Sequence, residues 1–436
     1  LIRKGIMMKI KNELHWYRVE PQVYRTGVIS EVTIIANDPR FDFTDEAPYK
    51  VEVWSLTRHG HLGVCENPVF VSAKDKKLVF CYRFDKEEEY YIRIFRHDET
   101  QRLVQLSVYA LDEDLFARRP LRGDLHVHSC RSDGKESPAV VAANYRAAGF
   151  DFISLTDHRR FAPSLEMIEA FSDCKLGMTL LTGEEIHSPD NFVHVVNVGS
   201  RYSINDIYLN DPDTYRREVE EILKTINTDF LPEAYRFAYA ACIWVVKKVR
   251  EAGGIAIFPH PHWMKNVYNV PDELTEALLM NGVFDVFELI GGFNLLDNNI
   301  QIALYNELRA RGLRIPIVGS SDSHTTLSNP EVFDARYTVV FALDNSPESI
   351  KEAILNGWSI AFEEFYPSNY YMLHGEYRLC LYGKFLRENY FPVTAALCAE
   401  EGLLMRQYIT GAEGAKEQLE ALAGRTEKFY RLMFKK

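Results

Sequence analysis

Between residues 121 and 362 the chain repeats one rhythm: a short apolar run, a histidine or acid at its end, then a helix-forming stretch closed by glycine. The run 125–128 is followed by helical composition over 138–148 and Gly149, then by the apolar strand Phe152–Leu155. The same alternation returns at Val195–Val198, at 241–252 with Gly253-Gly254 and Ile255–Phe258, at 283–289, at 300–311 with Gly312 and 315–318, and at Pro347–Leu355 with Gly357. Strands joined by helical crossovers lie parallel, and strands that read as continuous apolar runs are covered on both faces. The rhythm therefore predicts an α/β fold, either a barrel or a doubly wound sheet. In both, the carboxyl ends of the strands converge on one face, so residues far apart in sequence meet there.

The flanks read differently. Residues 24–110 hold short runs rich in Val, Ile, Tyr and Phe, separated by Asp, Pro, Gly and Lys clusters, which predicts an antiparallel β-sandwich. Its histidines, His15, His59, His61 and His97, show no chemical pattern; His59-Gly60-His61 reads as an exposed turn. The polar stretch up to Arg118-Arg119-Pro120 sets the boundary. The expected organisation is a β-sandwich over 1–117, the α/β part over 118–365 with a helical insertion at about 205–240, and a helical segment over 366–436. The insertion reads either as a lid or as a solvated excursion, and the tail as packing on one of the larger parts or on a second copy of the chain in a homo-oligomer.

With 47% apolar and 26% charged residues the chain can bury a sizeable core. A net charge of −12 spread without acidic blocks disfavours nucleic acid and anionic membranes. Seven scattered cysteines without Cys-x-x-Cys spacing read as reduced thiols. Neither a signal peptide nor a membrane span is legible, and a cytoplasmic location is expected.

Eight of the 13 histidines fall between residues 126 and 324, nearly all at predicted strand ends. His126 and His128 are two apart on a strand, so both imidazoles project to one side. Asp133 follows in a Ser132-Asp133-Gly134 loop; Asp157-His158, Glu184-Glu185, His260 and Asp322-Ser323-His324 sit at other strand ends, and His194 begins the next apolar run. Each pair alone reads as readily as a buried or surface pair; five such clusters at five strand ends point jointly to a metal site. Imidazole and carboxylate without thiolate is the donor set expected for Zn, Mn or Fe. His187 stands as an alternative to His194, Glu288 either as a residue orienting a ligand or as a simple core-edge carboxylate, and His262 as facing the substrate.

Asp124-Leu125-His126-Val127-His128-Ser129, Ser132-Asp133-Gly134, Leu155-Thr156-Asp157-His158, Gly183-Glu184-Glu185-Ile186, Pro259-His260-Pro261 and Gly319-Ser320-Ser321-Asp322-Ser323-His324 together resemble the ordered motifs of the polymerase and histidinol phosphatase (PHP) superfamily. The resemblance covers about 121–362. It implies a distorted parallel (β/α)7-type barrel holding two or three divalent ions. Carried over residue by residue, the ligands would be His126, His128, Asp133, His158, Glu185, His194, His260, Asp322 and His324. Glu185 is preferred to Glu184 because the family's glutamate usually precedes an apolar residue, here Ile186. Arg122-Gly123 before the first motif, together with the β-rich preceding part, is also similar to the branch known for carbaryl-type ester and carbamate hydrolysis. Nothing resembles the partner domains of the superfamily's polymerases, and histidinol phosphatases generally lack the sandwich and the tail.

The expected activity is a metal-dependent phosphatase or phosphoesterase acting on small molecules, with a water bridging the ions as nucleophile. His260, His324 and Asp322 stand at the chemistry, with His324 or His260 giving a proton to the leaving oxygen. Arg159, Arg160 and Lys265 read as holding phosphate oxygens or as solvated surface. The runner-up is an ester or carbamate hydrolase on the same site; a binding module without turnover fits poorly with an intact donor set.

Overall fold

The computed structural model describes residues 8–59, 65, 67–97, 99–264, 266–292, 295–327, 333–365 and 368–434. Two compact units emerge. The larger comprises Arg119–Glu376 and Cys398–Ala423, and the smaller joins the described residues up to Arg118 with Tyr377–Leu397 and the helix Arg425–Phe434. The tail is thus divided between the units rather than forming one of its own.

In the smaller unit, strands Tyr17–Glu20, Ile29–Ala36 and Lys77–Arg83 pair antiparallel. A second sheet runs in the order Val23–Arg25, Arg102–Leu111, Glu88–Phe95, Tyr49–Ser55, Val69–Val71. Its pairs are antiparallel except Val23–Arg25 with Arg102–Leu111. Val32, Ile34 and Leu78 from one sheet and Val51, Ile92 and Leu106 from the other are fully buried in a single core. Side-chain alternation accounts for this, because residues two apart on a strand share a face. Of the histidine-containing turn, Gly60 and His61 and the side chain of His59 lie outside the described residues.

The larger unit has two mixed sheets, not the all-parallel barrel expected. The first is ordered Thr179–Leu181, Phe152–Leu155, Arg119–Val127, Arg336–Ala342, Ser359–Phe365, Tyr370–His374. Its first three strands are parallel and the rest are joined antiparallel. The second is ordered Gly183–Ile186, Val195–Val198, Ile255–Phe258, Val286–Ile290, Ile317–Gly319, with the first two links antiparallel and the last two parallel. One reason is the loop 187–194, which is too short for a helical crossover and so returns its strand antiparallel. A second correction concerns the start of the helical segment expected over 366–436: Tyr370–His374 forms a strand, paired with Ser359–Phe365. The aromatic run Tyr370-Tyr371 suits a pleated edge better than a helix.

Single-residue parallel bridges, Val127 with Ser323 and His158 with Glu185, link the two sheets near the strand ends. On another edge the Thr338 hydroxyl donates to Gly319 O at 2.7 Å and accepts from Gly319 N at 3.0 Å. The strands Phe152–Leu155, Val195–Val198, Ile255–Phe258 and Val286–Ile290 are buried throughout, as their apolar runs require. Helix Pro138–Ala147 starts with proline in its first turn and is followed by Gly149 at φ +92°, the left-handed stop that glycine takes without penalty.

The expected insertion at about 205–240 and the helical stretch expected over 241–252 run together, forming the helices Asn205–Asn210, Pro212–Thr225 and Glu233–Glu251. They bury Tyr215, Val219 and Trp244 in the same apolar cluster as Phe258 and Phe287. Among the described residues, no helix is long and apolar enough to cross a membrane.

Candidate metal centre

Strand alternation puts His126 and His128 on one side of the chain at the end of Arg119–Val127, with both side chains fully buried. Glu185, on the neighbouring sheet, stands at the middle of the cluster. Its Oε2 lies 2.6 Å from His158 Nδ1, 3.4 Å from His126 Nε2 and 3.5 Å from His128 Nε2. Its Oε1 lies 2.8 Å from His194 Nδ1 and 3.4 Å from both His260 Nε2 and His187 Nε2. Asp322 Oδ1 approaches His128 Nε2 at 2.8 Å and His126 Nε2 at 3.2 Å. Towards solvent, Asp133 reaches His158 Nε2 at 3.4 Å and His324 Nε2 at 3.3 Å.

Among the described residues, four sets of donors lie close enough to share an ion: His126, Glu185 and His260; His126, His128 and Asp322; His128, Asp133, His158 and His324; and His158, Glu185 and His187. The first two are largely buried and the third is partly exposed. His194, expected among the ligands, falls in none of these sets, although its Nδ1 faces Glu185.

The short distances are not hydrogen bonds. Among the described residues, His126 Nε2, His128 Nε2, both oxygens of Glu185 and Asp322 Oδ1 are buried without a directed hydrogen-bond partner. Buried polar atoms left in this way are costly, and a group of them aimed at common points fits a cation that they would jointly coordinate. Backbone strain gathers here too: Arg159 (φ +57°), His260 (φ +34°) and Asp322 (φ +48°) occupy the left-handed region that non-glycine residues avoid.

The electrostatics agree with a cation site. Burial opposes ionisation of Asp322 and Glu185, yet nearby imidazoles, His126 foremost, hold both carboxyls well below their ordinary range. His126 is raised despite its burial, because Asp322, Glu288 and Glu185 face it. Burial pushes His128 down, and takes His194 down to about 4. A neutral imidazole is the form that can donate its electron pair.

Around the donors sits a shell of supporting groups. Glu288 Oε2 is 3.0 Å from His126 Nδ1, the orienting position expected of it. Asp157 does not enter the donor sets; its Oδ1 accepts from Ser129 N at 3.0 Å, Ser132 N at 2.9 Å and Ser132 Oγ at 2.7 Å, and so shapes the loop that carries Asp133. That loop is tight, since a Cβ on Gly134 would lie 2.7 Å from His128 O. Glu184 points away and accepts from Ser203, Ile204, Asn205 and Asn197. Sequence reasoning missed Tyr145, whose hydroxyl donates to Asp124 Oδ2 at 2.9 Å and lies 2.9 Å from Ser321 Oγ. Asp124 also accepts from His126 N and Ser321 N at 3.2 Å, and burial pushes its carboxyl up to about 7. A tyrosine inside an apolar helical stretch carries no signal of such a task.

The residues expected to meet substrate are less concentrated. Arg159 and Arg160 are exposed beside His158. His262 is buried, with Nε2 3.2 Å from Asp272 Oδ1 and its ring 5.0 Å from that of Tyr268. Lys265 lies outside the described residues.

Compared with protein-family models and with curated proteins, the sequence matches none. Among solved structures it is similar to a two-domain protein from Bacteroides vulgatus containing a predicted PHP-like metal-dependent phosphoesterase, with 22% identity and a TM-score of 0.38. That likeness covers 56% of this chain and 65% of the other, so the chain spans just under two thirds of that protein. It is also similar to an amidohydrolase from Chromobacterium violaceum, with 19% identity over 47% of this chain and 87% of that one, at a TM-score of 0.32.

Proposed function

We propose that this protein is a metal-dependent hydrolase acting on phosphate esters of small molecules. The observation that carries this reading is the convergence of buried imidazole and carboxylate atoms that lie within 2.8–3.5 Å of one another without forming directed hydrogen bonds. His126, His128, Glu185, His260 and Asp322 would hold the inner ion or ions, and His128, Asp133, His158 and His324 the outer one, with His194 beside Glu185. Two or three ions of Zn, Mn or Fe suit such nitrogen and oxygen donors. When bound, they supply Lewis acidity and lower the pKa of water towards neutrality.

The chain's own groups complete the site. Arg159 and Arg160, exposed at its edge, can hold nonbridging oxygens of an anionic substrate, which favours phosphate over a neutral ester or carbamate. The outer donors are open, with side-chain exposures of 55% for Asp133 and 37% for His324, so a substrate can reach them from solvent. His324 Nδ1 lies 2.9 Å from the Asp322 carbonyl, which as acceptor leaves Nε2 directed into the site. When Nε2 is protonated and not engaged as a ligand, His324 is placed to give that proton to the leaving oxygen, with His260 deeper in the cluster and Asp322 also at the chemistry.

Elemental analysis of the purified chain, followed by assays on phosphomonoesters, phosphodiesters, carboxyl esters and carbamates with added Mn or Zn, tests the reading. Roughly two to three ions per chain and turnover of phosphate esters are expected. Fewer than about one ion after reconstitution, unchanged by His128→Ala, removes the metal site. Turnover of carboxyl esters alone overturns phosphate and leaves the hydrolase.

A further inference from the structure

The nine strand-end donors leave one neighbouring imidazole without a task. His187 Nε2 lies 3.1 Å from His158 Nδ1 and 3.4 Å from Glu185 Oε1. His158 Nδ1 and His187 Nε2 are directed at one another as a hydrogen bond, and Glu185 Oε2 stands 2.6 Å from the same Nδ1 without a directed donor, so one proton serves only one of the two contacts. A cation in place of that proton would engage all three residues at once, and each offers a donor atom within 4.8 Å of the others.

The relation of His187 to His194 separates two ion positions. Their rings stack at 3.8 Å between centroids with 18° between planes. Imidazoles on one tetrahedral ion fan out from it, so stacked rings serve different ions. His194 Nδ1 is nearest Glu185 Oε1, whereas His187 Nε2 is nearest His158. His187 is also fixed in place: Tyr208 donates to its carbonyl at 3.1 Å, Tyr215 to that of Pro189 at 3.0 Å, and Arg216 pairs with Asp190 at 2.8 Å. The helices 205–251 therefore brace the loop 187–194. The His187 side chain remains 17% exposed, enough for an ion to enter.

We propose, building on the reading of the cluster as a metal centre, that His187 is a further metal ligand and that His158, Glu185 and His187 form a side position for a divalent cation such as Zn. His158 would then serve two ions as an imidazolate, its remaining ring proton released to solvent as the second ion binds, with Nε2 towards Asp133 and Nδ1 towards the side position.

The test uses the full chain, stripped with a chelator and titrated with Co(II), whose visible spectrum reports its ligands. His187→Phe keeps a ring to stack on His194 but removes the donor nitrogens. It should lose one ion relative to the unaltered chain, or bind the weakest ion roughly tenfold less tightly or worse. His187→Cys should keep that ion and add a thiolate-to-cobalt charge-transfer band, a signature that a purely structural role would not produce. Unaltered cobalt stoichiometry and affinity in His187→Phe, or no such band in His187→Cys, overturns the proposal. If the unaltered chain binds no cobalt, the metal reading itself fails; if it binds and both variants match it, only the role of His187 falls.

Discussion

Glu184 and Glu185 are adjacent on one short strand, and the pleat gives them opposite work. Glu184 is fully buried and accepts from Ser203 Oγ at 2.7 Å, Asn205 Nδ2 at 2.7 Å and Asn197 Nδ2 at 3.2 Å. Glu185 faces imidazoles with no directed hydrogen bond to either oxygen. Glu184→Gln turns one acceptor into an NH2 facing existing donors, and should cost about 1–3 kcal/mol of stability, read by denaturant unfolding, while metal content stays near normal. Glu185→Gln should do the reverse: a loss of ion affinity of roughly 10- to 100-fold or more by competition with a chelator, with the metal-free chain as stable as before or more so. Equal metal loss in both variants would show that the strand, not the carboxylate, holds the site together. The choice between the two glutamates was legible only through the apolar residue after Glu185; the donors that claim Glu184 come from residues 197–205, which no local pattern assigns to it.

At the scale of the element, helix Pro138–Ala147 connects in two directions through consecutive residues. Tyr145 reaches Asp124 and Ser321, joining the strand of His126 to the loop of Asp322. Arg146, fully buried, makes a two-pronged contact with Glu401 Oε2 at 2.9 and 2.7 Å. Tyr145→Phe should weaken ion binding with only about 1 kcal/mol lost in stability, because a buried hydroxyl contributes that order and Asp124 keeps its backbone donors. Glu401→Ala should leave Arg146 as a buried, underpaired charge and cost about 3–5 kcal/mol, measured by denaturant unfolding, with metal stoichiometry retained under native conditions. If Tyr145→Phe leaves ion affinity untouched, the clamp between Asp124 and Ser321 is structural only. The strands that carry ligands were legible because they are continuous apolar runs ending in donors. Their pairing was not: whether a neighbour runs parallel or antiparallel depends on partners far along the chain. The strand Arg336–Ala342 shows this, lying antiparallel to both Arg119–Val127 and Ser359–Phe365.

For the whole molecule, the decisive fact is that every described candidate ligand lies in the larger of two compact units. A ligand that binds only the folded state stabilises it by mass action, and at a free ion concentration about 100 times Kd the gain is about 2.7 kcal/mol. For a unit of this size that shifts the unfolding midpoint by roughly 4–5 °C. Calorimetry should therefore resolve two transitions, with chelator lowering the one that belongs to the larger unit and leaving the other in place. A common shift of both would show that the units unfold as one. Acid should act in the same direction as chelator. Every imidazole in the donor sets must be unprotonated at the atom that binds, and an ordinary imidazole titrates near about 6.5, so protons compete with the ion as pH falls. Despite burial, facing carboxylates raise His126 and His158 above that value, so the metal-induced increment should begin to shrink already above about pH 6.5 and be largely lost by roughly pH 5. In the chelated chain the same pH range should leave the gap between the two midpoints without that increment. An increment unchanged at about pH 5 would mean that the ion is held by carboxylates alone, and would remove the imidazoles from the centre.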